Sequence, residues 1–370
     1  MHMADALLSP AVGGVMWGAT GVAVAYSARK VRDELDESKI PLMGVAGAFV
    51  FAAQMLNFTI PGTGSSGHLV GALLLAILLG PEAAFLVMAS ILTIQALFFA
   101  DGGLLALGAN VINMGFFSVF IAYPLIYRHI VGDATAPARR RVVIGSLFAG
   151  VAGLELGALA VVVETTASGI TALSFGGFAL VMLPIHLAIG VVEGLVTAAV
   201  VLFVQHAQPE LLERSARRRP LRGLRLKPVL IGLAVATLAA GGVLSWYASV
   251  DPDGLEWSIA RVTGSSELPA DSSAHEAAAD VQENTAVLPD YSLKTGAGTG
   301  TGGTEAANGG SASGAEDGSS DGGASGAEDG TSAAGTSLAG IAGALIVLAV
   351  VGALGYALRR RSGARSEARP

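Results

Sequence analysis

Cysteine is absent from all 370 residues, which excludes a disulfide framework and a thiolate metal site. Charge is scarce: Asp, Glu, Lys and Arg make up 14% of the chain, where soluble domains carry about a quarter. There is no G-x-x-x-x-G-K-[ST], so the chain has no phosphate loop with which to hydrolyse ATP itself. There is no H-E-x-x-H, the signature of a zinc protease. No Ser/His/Asp order stands out. The net charge of −7 comes from acids crowded into one late segment, while bases cluster at the ends of apolar runs. It therefore carries no argument for nucleic-acid binding.

What the sequence does have is apolar length. Hydrophobic residues make up 52% of it and fall in runs such as HLVGALLLAILLG and IAGALIVLAVVGALGYAL. Runs near 20 residues cross the roughly 30 Å hydrocarbon core as helices. The expected fold is all-α, a polytopic helical bundle in the lipid bilayer. Nine segments stand out, at about 9–28, 40–57, 68–80, 82–99, 109–127, 142–164, 178–204, 228–248 and 338–358, the third being short for a full span. Basic clusters mark cytoplasmic loops. RKVR at 29–32, RH at 128–129, RRR at 139–141, RRR at 217–219 with Arg222, Arg225 and Lys227, and RRR at 359–361 all fall inside if nine spans alternate from an outer N-terminus. The same alternation puts the 57–68 loop outside and the C-terminus in the cytoplasm. The first run has no basic residue ahead of it and ends in RKVR, so it reads as an uncleaved helix and not a signal peptide.

This divides the chain into a seven-span unit over 1–204, a basic cytoplasmic linker over 205–227, a two-span unit over 228–358 and a basic tail over 359–370. The two-span unit encloses an outer segment, 249–337. From about 295 to 337 that segment is Gly- and Ser-rich, acidic and repeats SGAEDG, with too few apolar residues to bury a core. It is expected to be a disordered tether.

The opening MHMADALLSP carries the first candidate for chemistry. The Met1 α-amine, the His2 amide nitrogen and the His2 imidazole can close adjacent chelate rings around one metal. Histidine in second place leaves one position of a square plane open. Such a nitrogen site suits Ni(II) or Cu(II), and every ligand in it must be deprotonated. His68, in NFTIPGTGSSGHLVGA, is the candidate fourth ligand on the same outer side. Glycines there allow close backbone approach, and Ser65 and Ser66 can orient an imidazole by hydrogen bonding. Asn57 opens the same loop. Asp5, Asp101 and Asn110 could cap helices or line a cavity. His186 and Glu193 lie seven residues apart within the seventh span, on one helix face. Ionisable groups in a span default to functional or paired; this pair reads as structural or as an interface, and Glu155 and Glu164 in the sixth span invite the same reading. His129 and His206 sit by cytoplasmic span ends, and His275 lies in the outer segment.

Several separated motifs then agree in order with one family. MHMADALLSP resembles the MHIPDGFLSP-like opening of the M components of nickel/cobalt energy-coupling-factor (ECF) transporters, the NikM/CbiM family. PGTGSSGHLVGALL is similar to its GTSGHLLGG-type loop, LLGPEAAFLVMASILTIQALFFADGGLLALGANVINMG to its central signature, and HLAIGVVEGLVTA to its late span. VDPDGLEW and LPDYSL resemble the small PDGLE-type N component, here fused behind the M component. The resemblance implies a seven-span substrate-binding subunit that takes Ni²⁺ or Co²⁺ as cargo and has no cofactor of its own. Its implied partners are a transmembrane T component and cytoplasmic ATPases, which use the ATP. Its implied metal ligands are Met1, His2 and His68. Asp5 falls at the family's acidic position, whereas Ala6 stands where glycine is usual. Two other functions fit the composition. An ion-coupled secondary transporter working through Glu155, Glu164, His186 or Glu193 would take up metal alone and fail with an uncoupler. A membrane metal sensor would bind without accumulating.

Overall fold

The computed structural model describes residues 2–34, 36–132, 134–266, 268–270, 272–291 and 333–366. Met1 and most of the Gly/Ser-rich acidic tract lie outside these residues.

Among the described residues, six helices are long and apolar enough to cross a membrane: α1 (Pro10–Glu34), α4 (Pro81–Phe99), α5 (Leu107–Val131), α6 (Arg139–Ser168), α7 (Phe175–Ala207) and α12 (Ala333–Ser366). Two shorter apolar helices join them, α2 (Lys39–Gln54) and α9 (Lys227–Gly242). Sixteen residues rise about 24 Å, and α2 is sunk in the bundle centre with nearly all of its length buried. The polypeptide is a polytopic helical membrane protein.

Local sequence explains the helix limits. Pro10 and Pro81 open α1 and α4, where a missing N–H costs nothing. The Ser174 hydroxyl caps α7 by accepting from Gly177 N. Gly80, at φ 78°, makes the sharp corner between α4 and the short helix α3 (Ala72–Leu79). Helices α6 and α7 touch through small residues. A Cβ on Gly194 would lie 2.5 Å from Leu147 Cα, and one on Gly190 2.8 Å from Val151 Cα. This is the Gly-x-x-x-Gly approach that lets membrane helices pack backbone to backbone. Outward faces carry exposed Val15, Val22, Leu180, Leu187, Leu195 and Val235, as a lipid-facing surface requires.

The third apolar segment departs from expectation. Of residues 68–80, only the eight of α3 are helical, a rise of about 12 Å. The segment still runs from one end of the bundle to the other. His68 stands at the end that holds the N-terminal residues, while Leu78 O accepts from the Ser215 hydroxyl of α8 (Pro209–Ala216) and Glu82 pairs with Arg218 at 2.8 Å, both in the basic linker. The non-helical stretch is supported from within: Val70 N and Gly71 N each donate to Glu193 at 2.9 Å, and Gln54 Nε2 donates to Val70 O. Irregular backbone at membrane depth survives only where protein supplies such partners.

The basic clusters gather at one end. Arg359 pairs with Glu37, Asp36 accepts from Leu221 N at 2.5 Å, and Thr135 donates to Glu213. At the opposite end lie residues 2–8, the 55–71 loop, residues 100–106 and the segment 249–291.

Two short helices order that last segment, α10 (Gly254–Thr263) and α11 (Ser273–Thr285). His275, which the sequence places only in the outer segment, is ordered and buried. It is 4% exposed in α11 and its Nε2 lies 3.0 and 2.9 Å from Asp5 O and Leu8 O. Of the tract read as a disordered tether, 333–337 falls in the described residues, where it opens α12.

Candidate metal centre

His68 is held by a hairpin and by the head of α3. Strands β1 (Phe58–Ile60) and β2 (Ser65–Gly67) pair antiparallel with Thr59 opposite Ser66. Gly62 and Gly64, at φ 77° and 71°, make the tight turn between them. A Cβ on Gly67 would lie 2.5 Å from Ile189, so only glycine lets the strand close against α7 here. His68 follows directly. Its Nδ1 donates to Leu69 O at 3.1 Å, which leaves Nε2 as the ring's lone-pair nitrogen.

His2 is placed by its neighbours. Met3 N donates to Asn110 Oδ1 at 2.7 Å, and Asn110 Nδ2 returns a bond to Met3 O. Gly103 N also donates to Met3 O, and Asp5 accepts from Ala106 N. The start of the chain is thereby laced to the α4–α5 connection. His2 Nδ1 comes to 3.1 Å from Asp101 Oδ1, and its Nε2 to 3.3 Å from Gln95 Oε1. The rings of His2 and His68 stack with centroids 5.1 Å apart and planes 21° apart. Residues 66 positions apart in the chain thus meet at one point.

The segment behind α9 roofs this point. Ser66 N donates to Pro252 O at 2.8 Å and the Ser66 hydroxyl to Asp251 O at 2.8 Å, adding Asp253 to the hairpin in parallel register. Asn57 O accepts from Ser249 N, and Trp257 Nε1 donates to Thr63 O. Asp253 is the N-cap of α10 and forms a capping box with Glu256. Its Oδ2 lies 3.8 Å from His68 Nε2. Further along, the Tyr291 hydroxyl donates to Asp101 Oδ2 at 2.5 Å. The roof therefore touches the surroundings of both imidazoles. A cavity of about 1000 Å³ opens between roof and bundle, lined by His2, His68, Gln54, Asn57, Asp101 and Asp253 among others.

Burial sets the protonation of the site. It pushes the His68 imidazole down to about 3, with nearby positive charge and the His2 ring adding to the effect. It pushes His2 down as well, against the opposing pull of Asp101. Both rings are therefore neutral at neutral pH, the state in which imidazole binds metal. Burial, together with the Asp101 carboxylate, raises the Tyr291 hydroxyl well above the ordinary tyrosine range, so it remains a donor.

The structure brings together His2, His68, Asp101 and Asn57 around the cavity. Asp5 is present at the mouth but works as a backbone acceptor, and Asn110 anchors Met3. The serines do not orient the imidazole: Ser66 binds the roof backbone, and the Ser65 hydroxyl donates to Ser66 O. Glu193 is turned to the head of α3. His186 is fully buried, with Nδ1 2.8 Å from Met182 O. Glu164 accepts from Asn113 at 2.7 Å, and Glu155 Oε1 is buried without a hydrogen-bond partner among the described residues. Sequence reasoning missed Gln95, Asp253 and Tyr291. For Asp253 a signal existed, since D-x-x-E ahead of an apolar run is a capping box. Gln95 gives no signal, because a glutamine inside an apolar helix has no patterned neighbour. Among the described residues, no group of three His, Asp or Glu side chains could by itself hold a metal ion.

Fold and site define a multi-pass helical membrane protein with a buried pair of neutral imidazoles at one polar mouth. Residues 2–211 match the family model described as the cobalt uptake substrate-specific transmembrane region, and residues 227–360 match the PDGLE domain. The chain belongs to this nickel/cobalt transport family, with the M-type and PDGLE-type components fused. It is 40% identical over 220 residues to a putative fused nickel transport protein of Archaeoglobus fulgidus, covering 58% of this chain and 69% of that protein. A fused nickel transport protein of Rhodobacter capsulatus is 37% identical over 239 residues, covering 61% and 68%. A putative metal transport protein of Haloquadratum walsbyi is 38% identical over 214 residues, 57% of this chain and 93% of that one. A crystal structure of a transition metal transporter shares 34% identity and a TM-score of 0.50, covering 60% of this chain and all of that one.

Proposed function

We propose that this chain is the substrate-binding membrane subunit of an ECF-type ABC importer for Ni²⁺ or Co²⁺. It captures the ion at the outer face, and a transmembrane T component with cytoplasmic ATPases drives uptake. The observation that carries the reading is the meeting of His2 and His68, two neutral and parallel imidazoles at the rim of a polar cavity. Imidazole nitrogens bind such ions at about 2 Å, so rings with centroids 5.1 Å apart stand within reach of one ion. The remaining donors are the Met1 α-amine and the His2 amide, adjacent in the chain to His2. A set of four nitrogens in a plane favours Ni²⁺.

The gathering of basic clusters at the end away from the site supports an outer site and a cytoplasmic C-terminus. The natural division is then an M component over 1–204, a linker over 205–227 and an N component over 228–358.

The test is metal accumulation in cells lacking other nickel and cobalt importers. Co-expression with a T component and an ATPase is expected to give uptake that the chain alone does not. His2→Ala or His68→Ala is expected to abolish it. Full uptake by the chain alone would contradict the reading and favour an ion-coupled transporter.

A further inference from the structure

Around His2 the hydrogen bonds run in one direction only. Val70 O is a backbone carbonyl and can only accept, so Gln54 presents its Nε2 there, at 2.8 Å. Gln54 Oε1 is thereby turned to Gln95, whose Nε2 donates to it at 2.8 Å. Gln95 must then present Oε1 to His2 Nε2, as observed at 3.3 Å. On the other edge of the ring, Asp101 Oδ1 faces His2 Nδ1 at 3.1 Å. Asp101 Oδ2 is occupied by the Tyr291 hydroxyl at 2.5 Å, and Gln95 Nε2 lies 3.4 Å from that same hydroxyl. His2 thus has an acceptor at each ring nitrogen. A neutral imidazole has one proton and can serve only one of them at a time.

The chelate fixes which nitrogen the metal needs. A ring through the His2 amide nitrogen and Nδ1 has six members, whereas Nε2 points away from the backbone. This argument rests on the terminal metal site proposed above. We propose that Tyr291, contributed by the PDGLE domain, is a positioning residue for metal loading. Its hydroxyl holds Asp101 beside His2, so that the imidazole can hand its proton from the Asp101 edge to the Gln95 edge as the metal takes Nδ1. In that step the Nδ1–H bond breaks, its proton leaving through the Asp101 carboxylate to water of the open cavity, the metal–Nδ1 bond forms, and a proton from that water adds at Nε2. The ring proton then resides on Nε2 and is donated to Gln95 Oε1, so the ring stays neutral. Asp101 keeps its bond to Tyr291 and remains near the cation without competing for Nδ1.

The backbone supports a dedicated placement of Tyr291. Asp290 and Tyr291 are both left-handed, at φ 50° and 56°, a conformation that non-glycine residues rarely adopt. The Tyr291 ring stacks on Phe99 with centroids 4.8 Å apart, and Leu288 N donates to Phe98 O, so the strained turn is pinned to α4.

The test uses the full chain in detergent with its native N-terminus. Ni²⁺ affinity is read by competition with a chromophoric chelator, and the metal-free His2 tautomer by nitrogen NMR on histidine-labelled protein. Tyr291→Phe keeps the stacked ring and removes only the donor. Without it Asp101 is no longer held at the Nδ1 edge of His2, and Ni²⁺ binding is expected to weaken about tenfold, as for other losses behind a ligand. In an Asp101→Ala background, or Asp101→Asn should that variant not fold, Tyr291→Phe is expected to have no further effect. The metal-free parent should carry its proton on Nδ1. Three results would overturn the proposal: unchanged Ni²⁺ affinity in Tyr291→Phe, an equal loss in the Asp101 background, or a metal-free proton on Nε2. His2→Ala separates this failure from that of the terminal site. If His2→Ala leaves Ni²⁺ binding intact, the site itself is wrong. If it abolishes binding while Tyr291→Phe does nothing, only the role of Tyr291 falls.

Discussion

At the scale of single residues, the two imidazoles combine low proton affinity with a fixed orientation. His68 is neutral because the fold denies it solvent, and its Nε2 is selected because Nδ1 is committed to Leu69 O. Loss of either imidazole should weaken Ni²⁺ binding by more than the roughly 10–100-fold that losses behind a ligand cost, measured by titration of His2→Ala and His68→Ala. Burial also links the site to stability. The folded His68 titrates at about 3, against 6.5 for an ordinary solvated histidine. Between those values the unfolded chain binds the extra proton, so the metal-free protein should lose stability as pH falls from about 6.5 toward 3. His68→Gln should flatten that loss, seen as a smaller drop in thermal midpoint between pH 7 and pH 4. Identical pH profiles would mean that His68 is solvated in the folded state.

At the scale of elements, the third apolar segment is the one the sequence misrepresents. HLVGALLLAILLG is apolar throughout and reads as one segment, short for a full span, yet five of its thirteen residues are non-helical. The cause is Glu193, 122 residues downstream of Gly71, whose carboxylate takes the two leading N–H groups. Periodicity within the segment cannot report a partner on another helix. Glu193 was readable as an ionisable residue in a span that must be paired, and its pairing is structural. Glu193→Gln leaves one amide oxygen for two donors, so it should cost about 1–3 kcal/mol and weaken metal binding through a loosened His68 strand. Thermal unfolding and Ni²⁺ titration of the same sample would check both, and a variant with parent-like values in each would remove Glu193 from this role. The hairpin before His68 was equally hidden, since Ser65–Gly67 has no apolar alternation and pairs only against Phe58–Ile60. By contrast, the long helices were legible in place and type, because length and hydropathy fix them, although the first and last run about five to eight residues beyond their apolar runs.

At the scale of the whole molecule, two units of one chain build one mouth. Helices α9 and α12 of the PDGLE domain pack against α2 and against each other; Gly340 would place a Cβ 2.5 Å from Gly241 O, and Gly47 one 3.2 Å from Val347. The segment between them reaches over the bundle to Ser66, His68 and Asp101. The sequence showed that the second unit was there but not where it sat, because the contacts are backbone pairing and capping, which leave little trace in residue type. Deleting 250–336 should abolish uptake in cells that supply the T component and ATPase, while the purified deletion still binds Ni²⁺ through His2 and His68, about tenfold more weakly for the loss of Tyr291. Unchanged uptake by the deletion would remove any loading role from the roof.

The central claim is that the start of the chain is itself a metal ligand. The most direct measurement compares the native N-terminus with a version carrying one glutamine inserted after Met1, bulky enough to keep Met1 in place, each with and without His68→Ala, by Ni²⁺ titration. Histidine in second place leaves one planar position open, so native binding should depend on His68. Histidine moved to third place fills the plane by itself, so the inserted version should bind Ni²⁺ whether or not His68 is present. Equal affinities in both versions, with the same dependence on His68, would contradict the terminal site.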